Sequence, residues 1–357
     1  PSLRYIEHVL VGDARDEELE PIAAAVAKRL IASSPAEGAG HAALAAWLRA
    51  RVGDHASVDE MAALARSREP APLWSLRAWS TEARRTGDHQ ADHDAAAALL
   101  ARTERTSEQV TLATRMGDAL LRLGRQSDAV KAYENAASLD AGDVPTWQKL
   151  ADARRAAGDK GGAATALESL ARTSKVEPHR LTAWYEAGLA WSDLGDDARA
   201  RMALEQAARI DVMHADVFGR LSAVYMKVGR KAELAELLEE RTKHVTDENE
   251  RLALEVERGR LLTETGEPAR ARKALEAALA IQPDHSGALD AFADLCMAAG
   301  DHAAAEQSWV RLTRLLATPD EQREVYRKLG VLYADHLGNL SRAELAFREV
   351  QKRAPDA

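Results

Sequence analysis

Several features that would signal chemistry are scarce in this sequence. Cys296 is the single cysteine among 357 residues, which excludes an internal disulfide and a thiolate metal cluster. Aromatic residues make up only 4% and the formal net charge is −9, so the basic surface and stacking platforms of nucleic-acid-binding proteins are missing. The longest charge-free apolar runs, such as residues 95–101, fall far short of the roughly 18 to 20 residues of a membrane span. We therefore expect no nucleic-acid partner, no membrane span and a cytoplasmic location.

A repeated turn is what the sequence has in abundance. A glycine followed by a polar residue marks each turn: Gly12, Gly53, Gly87, Gly124, Gly158, Gly195, Gly229, Gly266, Gly300 and Gly338. Their successive differences in position are 41, 34, 37, 34, 37, 34, 37, 34 and 38, a regularity that chance placement does not produce. The spacing predicts ten helical hairpins rather than two or three compact domains.

Residues 181–211 contain one hairpin in its clearest form. Trp184, Gly188 and Trp191 recur at spacings of three and four residues, which places them on one face of an α-helix. Gly195 can adopt the left-handed conformation that ends a helix, and the acidic residues after it can cap the next one. Because two helices of this size cannot enclose a core, each hairpin must stack on its neighbours.

The period and these residues resemble the tetratricopeptide repeat family, in the form of the long arrays of bacteria. In this hairpin the matching residues are Trp184, Gly188, Trp191, Ala200 and Leu204. The small residue expected where the two helices cross is present in nine hairpins: Ala46, Ser80, Gly117, Ala151, Gly188, Ser222, Gly259, Ala293 and Gly330. The resemblance implies an all-α, right-handed α-solenoid of about ten stacked hairpins.

The domain boundaries follow from the same spacing. We expect a partial or degenerate hairpin over residues 1–38 and the solenoid over residues 39–357. Its hairpins are expected to start near residues 39, 73, 110, 144, 181, 215, 252, 286 and 323. Few residues precede Gly12, and Phe347 and Val350 do not resemble the polar cap of a terminal repeat. Further repeats or domains are therefore expected beyond both ends.

The alternation of shorter with longer intervals defines a larger repeat of two hairpins, which we name the double repeat. Late in the second helix, Ala65, Ala136, Ala207 and Ala278 alternate with Leu99, Leu170, Arg241 and Leu312. Three extra residues follow each member of the second set. We interpret them as one additional turn of the next first helix, with a longer loop as the alternative. Capping boxes are predicted there at Thr106 with Gln109, Ser174 with Glu177 and Thr318 with Glu321, and Thr246 with Asn249 is an imperfect one.

Candidates for chemistry are few. His89 and His93 lie four residues apart among three aspartates and could share a metal ion on a helix; the alternative is an exposed helix start whose acids favour the N-terminal dipole. Cys296 takes the buried tyrosine position of its hairpin, which predicts an inert core thiol. The glycine-rich residues 158–162 lack the Lys-Ser/Thr that completes a P-loop. No catalytic residue, cofactor or metal site is predicted beyond the two histidines.

The resemblance implies a groove, lined by first helices, that holds a partner segment or domain. The groove positions are Trp74, Arg77, Gln148, Asp152, Arg155, Tyr185, Leu189, Ala223, Val256, Arg260, Asp290 and Asp294. Around residues 144–227 we expect four side chains to converge: Arg155, Tyr185, Leu189 and Arg220. Tyr and Arg often dominate binding energy, and Arg pairs with carboxylates. The implied partner is an acidic, partly apolar protein or peptide segment.

Three functions are compatible with these observations. The first is a non-catalytic protein-interaction scaffold. The second is an accessory or regulatory arm of a larger signalling or cell-envelope assembly protein whose activity lies outside these residues. The third is a metal-dependent enzyme that uses His89 and His93. The family's carboxylate clamp is expected to be absent, because none of Asn135, Asn249 and Asn339 is placed on the groove face of a first helix.

Overall fold

Helices form most of the part of the chain that the structure describes. The computed structural model describes residues 73–353, apart from the side chains of Trp74, Ser75 and Ala78. Within this range the chain forms sixteen α-helices and one π-helical turn, and it forms no strand. The helices pair into consecutive hairpins, so the predicted all-α solenoid of helical hairpins is confirmed.

Two compact units divide the chain, one ending at Ala190 and the other beginning at Trp191. The hand of the superhelix stays a prediction. The hairpins predicted for residues 1–38 and from residue 39, with their turns at Gly12 and Gly53, lie outside the described residues. The described first helices begin at residues 73, 106, 144, 177, 215, 248, 286 and 319, and every second one begins four residues before the predicted hairpin start.

Odd-numbered helices are the first and even-numbered helices the second members of their hairpins. They are α1 (Leu73–Thr86), α2 (His89–Leu100), α3 (Thr106–Arg122), α4 (Gln126–Leu139), α5 (Val144–Ala156), α6 (Lys160–Thr173), α7 (Glu177–Asp193), α8 (Asp197–Ile210), α9 (Ala215–Lys227), α10 (Lys231–Thr242), α11 (Glu248–Glu264), α12 (Pro268–Ile281), α13 (Ser286–Ala298), α14 (His302–Leu315), α15 (Pro319–Val331) and α16 (Leu340–Lys352). The π-helical turn Leu332–His336 continues α15.

Each described turn depends on a glycine in the left-handed region. The φ angles of all eight turn glycines between Gly87 and Gly338 lie between 61° and 80°, which other L-residues rarely adopt. The residue after the glycine caps the second helix in five hairpins: Asp88, Asp159, Asp196, Asp301 and Asn339. The glycine-rich residues 158–162 are therefore an ordinary hairpin turn.

First helices alternate in length, and the extra residues are helical. Helices α3, α7 and α11 contain 17 residues each, whereas α5, α9 and α13 contain 13. The four additional residues lie at the amino-terminal end and amount to about one turn. The prediction of a longer first helix in every other hairpin is confirmed, and the alternative of a longer loop is wrong.

The predicted capping boxes are mostly wrong. Thr318 caps α15 by accepting a hydrogen bond from the backbone N–H of Glu321. At the other insertions Asp247 caps α11, Arg105 precedes α3 without a side-chain cap, and Ser174 ends α6. The residue that caps a helix is set by where the chain leaves the preceding helix. A short sequence pattern therefore misses it by a residue or more.

Within each unit, the core lies between the two helices of a hairpin and against the next hairpin. The alanines late in the second helices, Ala136, Ala207 and Ala278, have no exposed surface. Cys296 is also fully buried, as predicted, and burial raises the pKa of its thiol. Among residues 73–353, no helix combines the length and the apolar character that crossing a bilayer requires.

Candidate partner-binding groove

A cavity opens on the first helices where a short one is followed by a long one. It lies between α5 and α7 and has a volume of about 330 Å³; we name it the Leu170 cavity. Its apolar lining comprises Val144, Pro145, Leu167, Leu170 and Ala183. Its polar lining comprises Gln148, His179, Thr182 and Glu186.

The sequence builds this cavity from two features. Leu170 stands where the other type of hairpin has an alanine, and His179 lies in the additional first turn of α7. Side chains from α5, α6 and α7 line the space. Sequence reasoning named Gln148 as a groove residue but missed His179 and Thr182. The repeated large residue and the inserted turn were the available signals.

Charged side chains beside the cavity are paired with one another. The guanidinium of Arg155 donates to Asp152 at 3.1 Å and to Glu186 at 3.2 Å. Gln148 donates to Asp152 at 3.3 Å. The pair between Arg155 and Glu186 joins α5 to α7 along this surface. Because the ion-paired side chains remain about half exposed, each ion pair contributes only about 0 to 1 kcal/mol.

The four side chains expected to converge fall in both units. Tyr185 and Leu189 are half-buried on α7, and Arg155 is exposed on α5. Arg220 is exposed on α9, in the unit that begins at Trp191. The convergence of Arg220 with the other three stays a prediction.

Other predicted groove positions differ in accessibility. Arg77 is exposed, with its guanidinium 3.4 Å from Glu108. Arg260 is exposed and donates to the carbonyl oxygen of Gly287 at 3.4 Å. Val256 is only 6% exposed, so its placement on the groove surface is wrong. It packs instead into an apolar cluster with Leu252 and residues of α12 and α13. The side chain of Trp74 is not among those that the structure describes.

A second cavity lies at the corresponding junction between α13 and α15, two double repeats further along the chain. It has a volume of about 260 Å³, and we name it the Leu312 cavity. Its apolar lining includes Leu312, Leu316 and Val325. Its polar lining is charged and includes Asp290, Glu321, Glu324 and Lys328. The same element of the fold thus presents a nearly neutral cavity in one unit and an acidic one in the other.

The histidine candidates for a metal lie among acids that have other partners. Asp92 is buried and accepts from Arg115 at 2.8 Å. His93 lies 2.8 Å from Asp94, and the aspartate before His89 caps α2. Among residues 73–353, no cluster of three or more His, Cys, Asp or Glu side chains has the arrangement of a metal site.

These features define a helical-repeat protein with cavities beside its first helices. Models of the tetratricopeptide repeat match residues 110–143, 149–212 and 256–313. Over these residues the chain carries tetratricopeptide repeats, as the residues indicated. Proteins of this family are generally non-catalytic scaffolds for protein–protein interaction. No curated protein sequence matches the chain.

Solved structures of other repeat proteins are similar to this chain. One is the C-terminal part of a TPR repeat-containing protein from Cytophaga hutchinsonii, with 15% identity, a TM-score of 0.42, and coverage of 68% of this chain and 96% of that one. A tetratricopeptide repeat protein from Parabacteroides merdae has 15% identity, a TM-score of 0.33, and coverage of 71% and 96%. MamA of AMB-1 has 20% identity, a TM-score of 0.38, and coverage of 50% and 93%.

Proposed function

We propose that the chain is a non-catalytic scaffold that holds a segment of a protein partner against its first helices. The Leu170 cavity is the observation that carries this proposal. It is open, apolar over most of its lining and bordered by Gln148 and Thr182, which can orient a partner backbone. Concave apolar sites with a few polar groups are the usual form of a binding site.

The size and apolar lining of the Leu170 cavity indicate which partner side chain it can bind. A volume of about 330 Å³ accommodates one large apolar side chain, and its burial against Leu167 and Leu170 would supply roughly 1.5 to 3 kcal/mol. Tyr185 and Leu189, further along α7, extend the apolar surface. The partner segment is therefore partly apolar.

The acidic part of the expected partner involves Arg155. Its guanidinium is already paired with Asp152 and Glu186, so a partner carboxylate would have to exchange with one of them. Exposed pairs of this kind are worth only about 0 to 1 kcal/mol, and the exchange therefore costs little. Arg155 would then discriminate in favour of acidic segments without supplying much of the affinity.

Site-specific photo-crosslinking tests the proposal. A benzophenone amino acid at Thr182 lies at the cavity, whereas the same group at Thr165 lies on the exposed surface of α6. In cells, the Thr182 position should give a crosslinked partner that the Thr165 position does not. The Thr182→Trp variant, which carries no crosslinker and fills the cavity, should no longer recover that partner in a pull-down. Identical crosslinks from both positions would contradict the proposal.

A further inference from the structure

An arginine of the chain itself fills the junction that lies between the two cavities in sequence. Arg241 takes the position of Leu170 and Leu312, one double repeat from each. Its guanidinium donates twice to Glu250, at 3.0 and 2.8 Å. It also donates to the backbone carbonyl oxygens of Val212 and Met213, at 3.2 and 3.4 Å.

Arg241 is almost entirely enclosed in this position. Its side chain is 11% exposed, and the guanidinium lies 4.4 Å from the centre of the Phe218 ring. All three guanidinium nitrogens have acceptors, so the buried charge is satisfied. This junction therefore shows how the fold holds a guanidinium group between a short and a long first helix.

The junction between α13 and α15 has a glutamate in the position of Glu250 but no arginine in the position of Arg241. Glu321 lies one double repeat after Glu250, at the same place in the added turn of its helix. Leu312 replaces Arg241, and the Leu312 cavity of about 260 Å³ is present there. Leu312, Leu316 and Val325 give it an apolar lining that suits the aliphatic part of an arginine side chain.

Among the carboxylates that line the Leu312 cavity, Glu321 is the one that forms no ion pair within the described residues. Lys328 pairs with Asp290 at 2.8 Å, and Glu324 pairs with Arg327. The Glu321 carboxylate accepts a hydrogen bond from the Thr318 hydroxyl at 2.6 Å. Within residues 73–353 no lysine or arginine pairs with it. A guanidinium at the cavity would supply the partner that Arg241 supplies to Glu250.

We propose that the Leu312 cavity binds an arginine side chain of a partner protein, with the guanidinium on Glu321 and its stem on the apolar lining. This inference rests on the proposed function and deepens it by naming a second contact of the partner. It concerns a different cavity, in the unit that begins at Trp191. The Leu170 cavity has His179 where this one has Glu321, and its carboxylate, Glu186, is paired with Arg155, so it should not select a guanidinium.

Peptide binding tests the proposal directly. The probe is a fluorescent, acetylated and amidated Gly-Leu-Arg-Leu-Gly peptide, compared with versions that carry citrulline or lysine. Citrulline has nearly the shape of arginine without its charge, and lysine has the charge without the planar fork. The arginine peptide should bind at submillimolar concentration, and each replacement should weaken binding about tenfold. Equal binding of the three peptides, or no binding of the arginine peptide, would overturn the proposal.

Two charge variants locate the site. Glu321→Gln should weaken binding of the arginine peptide about tenfold. Asp320→Asn removes the same charge from an adjacent side chain that is 81% exposed and does not line the cavity, so it should leave binding unchanged. Equal effects of the two variants would show that the peptide responds only to the overall negative charge of this surface and does not contact Glu321.

Introducing an arginine at each cavity tests the proposal through the melting temperature, without a peptide. Leu312→Arg introduces the arginine found at position 241 of the preceding double repeat, so its guanidinium should reach Glu321 and block the Leu312 cavity. Leu170→Arg places the same group opposite His179. Because an unpaired buried charge is costly, Leu170→Arg should lower the melting temperature at least about three times as much as Leu312→Arg. Similar losses in both variants, or a Leu312→Arg protein that still binds the arginine peptide, would contradict the proposal.

The outcomes separate the two proposals. If Thr182→Trp loses the crosslinked partner while the arginine peptide fails to bind, the scaffold stands and the guanidinium site is rejected. If the arginine peptide binds through Glu321 while the Thr182 position gives no specific crosslink, the guanidinium site stands and the role of the Leu170 cavity is rejected.

Discussion

The ring of Tyr133 occupies the space that a side chain on Gly117 would need. A Cβ atom added to Gly117 would lie 2.6 Å from Cε1 and from Cζ of Tyr133. The tyrosine is fully buried, and its hydroxyl donates to Asp118 at 2.6 Å. The two helices of this hairpin therefore approach as closely as they do because one of them lacks a side chain at the crossing.

Gly117→Ala should destabilise the first unit. The tyrosine cannot move away without losing its packing and its hydrogen bond, so we expect a loss of about 1 to 3 kcal/mol from overpacking. Gly219→Ala is the matched control, because a Cβ there would meet no atom within 4 Å and alanine favours a helix by up to about 1 kcal/mol. Urea denaturation followed by circular dichroism measures both. A Gly117→Ala variant as stable as wild type would show that the crossing has room.

Asp92→Ala should be far more damaging than Asp94→Ala. Asp92 is buried and pairs with Arg115, which also donates to the hydroxyl of Ser80. Removing the carboxylate leaves a largely enclosed guanidinium without its counter-charge, at a cost of about 3 kcal/mol. Asp94 is exposed, and its loss should change the free energy of unfolding by no more than about 0.5 kcal/mol. Equal losses in thermal denaturation would rule out a structural role for the Asp92 pair.

Glu255 should make the stability of the second unit depend on pH. Burial raises the pKa of its carboxyl above the ordinary value, although Arg258 lies 3.0 Å away. Between the ordinary and the raised pKa, the folded chain holds a proton that the unfolded chain has released. The free energy of unfolding therefore increases as pH falls through this window and decreases as pH rises.

The comparison with Glu255→Gln isolates this effect from the other carboxyl groups. As pH falls from neutral toward the ordinary pKa of a glutamate, the wild type should gain stability relative to the variant in urea titrations. Parallel pH profiles for the two proteins would mean that Glu255 remains ionised in the folded state throughout.

The double variant Tyr185→Ala with Arg155→Glu should weaken partner binding at the groove. It removes a half-buried aromatic contact and reverses a charge beside the Leu170 cavity, while the helical content should be nearly unchanged. Crosslinking pull-downs measure the recovery of the partner, which we expect to fall about tenfold or more. Arg209→Glu, an exposed charge reversal on α8, is the control. Full recovery of every wild-type partner would place the binding surface elsewhere.

Local patterns in the sequence predicted much of this fold. The turn at Gly195 follows from backbone sterics alone, because only glycine adopts its φ angle of 76° without strain. The burial of Trp184 and Trp191 follows from their spacing on one helical face. The longer first helix of every other hairpin could be read from three inserted residues. Each of these inferences needs only residues that are close in sequence.

The binding surface was less predictable, because its properties depend on side chains from different hairpins. Arg155 was correctly placed on an exposed face, but its pairing with Glu186 in the next hairpin could not be read from the spacing. Val256 fits the same repeat position as Tyr185, and yet it is buried, since α12 and α13 pack against it. The repeat position of a residue therefore predicts which face of the helix its side chain lies on. How far that side chain is exposed depends on the helices packed against it.

The sequence by itself determined the hairpin, its period and its turns, because these depend on helix geometry and on glycine conformation. Only the tertiary structure decided which junctions between first helices are open. Leu170, Arg241 and Leu312 occupy one repeat position, and the sequence shows their alternation with alanine. Whether the space beside that position is filled depends on the length of one side chain and on the acid opposite it. Arg241 reaches Glu250 across its junction, whereas Leu312 is too short to reach Glu321, and a cavity lies beside it.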